Sequence, residues 1–266
     1  MQECKSFLSK KMSKNIVVSA LQTDIAWANT KENAARMEAL IAAHKGSDVY
    51  VLPEMWSTGF ATDPAGIAEK DEASLCWMKR MAEQTGAAIV GSVATDLGAD
   101  YRNRLYFVKP DGDTAFYDKH HLFTYGHEDK TYTAGENRTV VEWKGVRFIL
   151  LVCYDLRFPV WSRSREDYDA MIYVASWPKS RQDAWSTLLK ARAIENQSYV
   201  VGVNRVGDDP QCHYAGGTAI IDAYGHALQE CEPEKEQVIT AAIDMEVLEA
   251  FRQKFPVLKD RDKSIS

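Results

Sequence analysis

The chain has 266 residues, 45% of them hydrophobic and 26% charged, with a net charge of −6. That is ample apolar material for a sizeable core; the acidic balance and the lack of a Lys/Arg block argue against nucleic acid as a partner, and no apolar run approaches the ~18 residues of a membrane span. Five cysteines (Cys4, Cys76, Cys153, Cys212, Cys231) form no CxxC pair and six histidines form no HExxH, which disfavours a disulfide framework or a metal site and makes a reducing cytoplasm the simplest setting.

Residues 1–14 lack a signal peptide's apolar segment and read as a mobile tail, with Met12 as a second candidate start. Residues 15–266 read as one domain, because no linker or low-complexity stretch interrupts them. NIVVSALQ (15–22) is a short β-branched run, a buried strand. Thr30 is the expected N-cap of a helix to about His44, with Glu32 in its first turn and Gly46 beyond its end. DVYVLPE (48–54) is a strand stopped near Pro53, residues 71–85 a helix closed by Gly86, and AAIVGSVAT (87–95) the next strand.

The middle of the chain changes character. Residues 104–119 read as a hairpin turning at Pro110–Asp113, and residues 139–153 as another turning at Lys144–Gly145. AMIYVAS, SYVVGVNRV, GTAIID and QVITAAID are further strands, with a helix at about 183–197 among them. Strands alternating with helices imply mixed sheets covered by helices. This pattern does not separate a two-sheet sandwich from one doubly wound sheet.

Three strand ends carry a reactive side chain: Glu54 in VLPEMWSTGF, Lys119 in FYDKHHLF and Cys153 in LVCYDLRFP. Strand ends are where α/β proteins place functional loops. Taken singly, Glu54 is a turn acid, Lys119 a surface lysine and Cys153 a core cysteine, since free cysteine is among the most buried residue types. Together they form a set of base, cation and thiol.

The motifs LPEMWSTGF, YDKHHLF and CYDLRFP, followed by SWP (176–178), ARAIENQSYVVGVNRVG (191–207) and GGTAIIDAYG (216–225), resemble the nitrilase superfamily of carbon–nitrogen hydrolases over roughly Ile16 to Asp260. CYDLRFPVW, GHED and FRQKFPVLKD are most similar to its bacterial omega-amidases. The resemblance implies an αββα sandwich of two mixed sheets flanked by helices, pairing with a second sandwich in a homodimer, and a Glu54–Lys119–Cys153 triad acting without metal or other cofactor. It further implies Glu128 as an auxiliary acid, with Asp129 as its competitor, and an oxyanion site made by Lys119 and the Tyr154 backbone N–H.

The implied reaction is hydrolysis of the terminal amide of 2-oxoglutaramate or 2-oxosuccinamate to acid and ammonia through a cysteine thioester. A free Glu near ~4.3 and a free Cys near ~8.5 make the first proton transfer uphill by about 5–6 kcal/mol; burial of the acid and an ammonium beside the thiol can close that gap. Arg157 and Arg181 are candidate carboxylate binders, and Tyr125, Trp177 and Phe60 candidate pocket walls; scaffold pairing for the arginines and plain core for the aromatics are the competing readings. His120 and His121 receive no catalytic role, since Glu54 stands where an imidazole base would. An N-carbamoyl amino acid hydrolase or another aliphatic amidase of the superfamily is the alternative, because the triad is shared. True nitrilases usually have Trp-Glu after the nucleophile, whereas this chain has Tyr154–Asp155. A non-catalytic scaffold is disfavoured by the intact triad, and a thiol sensor has Cys212 as its one nominated partner for Cys153.

Overall fold

The computed structural model describes residues 15–262; the tail expected at 1–14 lies outside them. The first half runs β1 (Asn15–Gln22), α1 (Thr30–Ala43), β2 (Val49–Val51), α2 (Ala73–Thr85), β3 (Ala88–Asp96), β4 (Tyr101–Val108) and β5 (Thr114–Asp118). The second runs β6 (Val140–Trp143), β7 (Val146–Val152), α3 (Pro159–Ser162), β8 (Ala170–Ala175), α4 (Gln182–Asn196) and β9 (Tyr199–Asn204). It closes with β10 (Val206–Asp208), β11 (His213–Ala215), β12 (Ala219–Ile221), β13 (Ala227–Glu230), β14 (Gln237–Asp244) and α5 (Met245–Lys254).

Two six-stranded mixed sheets form, in the orders β14-β1-β2-β3-β4-β5 and β13-β12-β9-β8-β7-β6. Each has three parallel strands at its centre, β1-β2-β3 and β7-β8-β9, and antiparallel strands outside them. The period of two sorts the first sheet's side chains. Val49, Val51, Ala88, Val90, Leu105 and Phe107 enter the core shared with the second sheet, while Tyr50, Leu52, Ile89 and Tyr106 pack with Met37 and Ile41 of α1 and Met78 and Met81 of α2. Phe107 meets Phe148 of β7 across the sheets at 5.8 Å between ring centroids. Trp185, Leu189 and Ala193 of α4 join the core from the second sheet's side. The αββα sandwich is thereby established.

Most strands and helices fall within a residue or two of their expected places, and one cap is corrected. Asn29, not Thr30, caps α1: its Oδ1 accepts the Glu32 backbone N–H at 3.2 Å and its Nδ2 donates to the Glu32 carboxylate at 2.8 Å, so Thr30 is already helical. Sequence reasoning also missed the β10–β11 ribbon, β13 and α5. Asp244 caps α5 by accepting the Glu246 and Val247 N–H groups.

Candidate active site

Glu54 follows β2 in a turn bound to β3, where Met55 N–H donates to Ser92 Oγ at 2.9 Å and Trp56 N–H to the Ser92 carbonyl at 3.1 Å. Lys119 directly follows β5, with its N–H on the Asn103 carbonyl of β4 at 3.0 Å. Cys153 opens a short 3-10 helix (Cys153–Arg157) at the end of β7. Its φ of 45° lies in the left-handed region, which L-residues adopt only when surrounding contacts hold them there. These turns share one end of the sandwich, outside the carboxyl ends of the parallel strands β2 and β7.

There the side chains converge and leave water almost entirely. Glu54 and Glu128 are 0% exposed and Lys119 1%. Lys119 Nζ donates to Glu54 Oε1 at 2.9 Å and to both Glu128 oxygens, at 2.9 and 3.2 Å. Glu128 also accepts the Phe123 N–H at 2.7 Å. Asp129, the competing acid, instead lies within 3.2 Å of the exposed Lys130. Two residues not foreseen complete the cluster. Asn103 Nδ2 donates to Glu54 at 2.8 Å and to Glu128 at 3.1 Å. Ser176, just after β8, gives its N–H to Glu54 Oε2 at 2.8 Å, and its carbonyl lies 3.9 Å from Cys153 Sγ.

The electrostatics follow from this packing. Burial works against the charge on Lys119, yet Glu128 and Glu54 together hold its ammonium above the ordinary lysine range. Burial and the negative charge of Glu54 push the Cys153 thiol well above its ordinary range, against the pull of Lys119. Burial also raises Glu128; Lys119 opposes that and Glu54 adds to it. The site thus sets the Lys119 ammonium between two acidic side chains, beside a thiol whose ionisation is opposed.

Cys153 forms part of a pocket of roughly 500 Å³, its mouth included. Phe60, Phe123, Tyr154, Trp177 and Tyr214 supply aromatic wall, and Arg157, Arg181, Gln211 and Cys212 line it as well. The Arg157 guanidinium lies 4.9 Å from the Trp177 ring centroid, and that of Arg181 5.2 Å from Phe123. Neither arginine is paired with a carboxylate among the described residues. The competing scaffold reading of Arg157, pairing with Asp155 or another acid, finds no such pair there, and Asp155 bonds elsewhere. Tyr125 does not line the pocket: it is 79% exposed, and its neighbour Gly126 takes the place at the wall. A loop aromatic and a wall aromatic look alike in sequence; only the turn at Thr124–Gly126 decides which way the ring faces.

A two-sheet α/β sandwich that buries an acid, an ammonium and a thiol together at its strand ends has the make-up of an enzyme. The carbon–nitrogen hydrolase family profile matches residues 17–253, and the chain belongs to that family, within the nitrilase superfamily. It is 44% identical over 247 residues to the omega-amidase YafV of Yersinia enterocolitica, covering 92% of this chain and 96% of the relative. It is 37% identical over 255 residues to the 2-oxoglutaramate amidase of Bacillus subtilis, covering 93% and 98%. A CN-hydrolase superfamily protein from Xanthomonas campestris, whose crystal structure has an arsenic adduct in the active site, superimposes with a TM-score of 0.91 at 42% identity, covering 94% of this chain and 98% of that one.

Proposed function

We propose that this enzyme hydrolyses the terminal amide of short 2-oxo dicarboxylic acid monoamides, 2-oxoglutaramate and 2-oxosuccinamate, through a thioester on Cys153. The observation that carries the reading is the pocket itself: Cys153 lines it with the buried Glu54–Lys119 pair behind, and its wall holds two guanidiniums that have no carboxylate partner among the described residues. Relatives named omega-amidase and 2-oxoglutaramate amidase support the substrate class.

Glu54 takes the thiol proton as sulfur attacks the amide carbon, forming the C–S bond. The oxyanion is received by Lys119 and the Tyr154 backbone N–H. As the C–N bond breaks, Glu54 returns the proton to nitrogen and ammonia leaves. Glu54 then deprotonates a water that attacks the thioester, and the acid and the thiol are regenerated. Glu128 keeps Lys119 charged and aimed. Arg157 or Arg181 pairs with the substrate carboxylate, while Phe60 and Trp177 exclude water. Four unpaired cysteines among the described residues suit a reducing cytoplasm. No described helix is long and apolar enough to cross a membrane. Pairing of two copies belongs to the same proposal: Tyr224 after β12 and Val247 and Phe255 in and just after α5 are exposed, and light scattering at twice 30.0 kDa checks it.

The test is ammonia release from both oxo-amides, a neutral amide of equal length and an N-carbamoyl amino acid, with Cys153→Ala as blank. Fast turnover of the oxo-amides, lost in the blank, is expected. Replacing the carboxylate-binding arginine by Gln raises KM for the oxo-amides about tenfold or more, as loss of a charged hydrogen bond should, and leaves the neutral amide nearly unaffected. Turnover of the carbamoyl compound alone would overturn the substrate assignment.

A further inference from the structure

Asp155, His120 and His121 adjoin the site, take no part in the chemistry above, and form one network. Asp155 is 0% exposed and lies two residues after Cys153. Its Oδ2 accepts the Val152 N–H at 3.0 Å and the Tyr117 hydroxyl at 2.8 Å; its Oδ1 accepts the His121 N–H at 2.9 Å and lies 2.8 Å from His121 Nδ1. The Tyr117 hydroxyl accepts in turn from the His120 N–H at 3.1 Å and Trp161 Nε1 at 3.0 Å. The His120 ring stacks on Trp161 at 3.7 Å and the His121 ring on Phe158 at 3.8 Å. A single carboxylate therefore joins the peptide immediately before Cys153 to the loop two residues beyond Lys119. Hydrogen bonds to a carboxylate are among the strong ones, and here they hold the turn in which Cys153 adopts its left-handed φ.

We propose that Asp155 is a positioning residue that fixes the nucleophile segment against the lysine segment, with His121 as its partner on the lysine side. Neither touches substrate. The inference rests on the reading of Cys153 as nucleophile and of Lys119 and Tyr154 as the oxyanion site. It explains why an acid follows the nucleophile at this interval and why a histidine pair follows the lysine. Donors at an oxyanion act through preorganisation, so a displacement of about 1 Å costs about a hundredfold in rate.

The experiment compares wild type, Asp155→Asn and His121→Ala in three measurements on the folded proteins: kcat on the oxo-amide, inhibition by the corresponding aldehyde, and inhibition by the carboxylate product. The aldehyde adds the Cys153 thiol and places its oxygen at the oxyanion site; the product uses only the binding walls. Asp155→Asn is expected to lower kcat and aldehyde affinity together, by about a hundredfold, with product affinity unchanged. His121→Ala shows the same pattern at about tenfold, the effect of one hydrogen bond. A folded variant with wild-type kcat overturns the inference, and so does equal loss of aldehyde and product affinity, which marks collapse of the pocket. If Asp155→Asn does not fold, His121→Ala decides on the same criteria. Wild-type protein inert to both amide and aldehyde would remove the underlying reading as well; an active wild type with unaltered variants removes this inference alone.

Discussion

Cys153 sits where ionisation is opposed. Burial and the Glu54 charge raise its proton affinity, and Lys119 only partly offsets them. In the proposed mechanism the thiol therefore has to lose its proton to a base, Glu54, as it attacks. Glu54→Gln removes that base and one of the charges that hold the proton on sulfur. The expected result is a split: turnover falls by about 10²–10⁴-fold, while the pH midpoint for iodoacetamide alkylation of Cys153 moves down, because Lys119 remains and its pull is then less opposed. A midpoint that stays put or rises would mean the Glu54 charge does not govern the thiol. Glu54, Lys119 and Cys153 were legible in the sequence because each follows a β-rich run with a side chain that such runs seldom end on. Asn103 and Ser176 were not. One lies inside a strand and the other contributes a backbone N–H, and no residue type announces either role.

At the scale of elements, the Lys119 strand end is held by a close approach that only glycine permits. Gly135 donates its N–H to the Lys119 carbonyl at 2.9 Å, and a Cβ on it would lie 2.1 Å from the Asp118 carbonyl oxygen. Gly135→Ala must push the two segments apart. Forced overpacking of this kind costs about 1–3 kcal/mol, and each kcal/mol lowers Tm by about 2–4 °C in a chain of this size class. The displaced backbone carries Lys119, so kcat should fall as well. Calorimetry and turnover on one preparation check both; an alanine variant with wild-type Tm would mean that the approach is easily relaxed. This contact joins residues 16 positions apart through a backbone carbonyl, and sequence pattern contains no trace of it. The elements themselves were far more legible, because turn signals such as Pro110–Asp113 and Lys144–Gly145 bound runs of clear β character. Their assembly was less so. The central strands of both sheets are buried on both faces along most of their length, so their sequences are largely apolar and do not say whether a helix or a second sheet covers each side.

For the whole molecule, the deep burial of titratable side chains has a consequence at high pH. Five deeply buried phenols, Tyr117, Tyr132, Tyr168, Tyr173 and Tyr214, are all raised above the usual tyrosine range, with burial the first cause in each case. Burial and the Glu230 charge push the Cys231 thiol up to about 12, and Cys153 is raised too. The folded chain keeps these protons where the unfolded chain, with thiols near ~8.5 and phenols near ~10, releases them. Lys119 acts in the same direction, since its folded ammonium outlasts an unfolded lysine. Each such group contributes stability that is fully present below its unfolded pKa and is lost as pH rises from there through its folded value, at about 1.4 kcal/mol per pH unit once the unfolded form is deprotonated. Because the groups act together, the stability curve should be level from neutrality to about pH 8.5 and then fall by several kcal/mol per unit through pH 11. Urea midpoints measured between pH 7 and 11 follow this directly. A midpoint still level at pH 10.5 would mean that these side chains meet water in the folded protein, and the sandwich core would then be looser than its packing indicates.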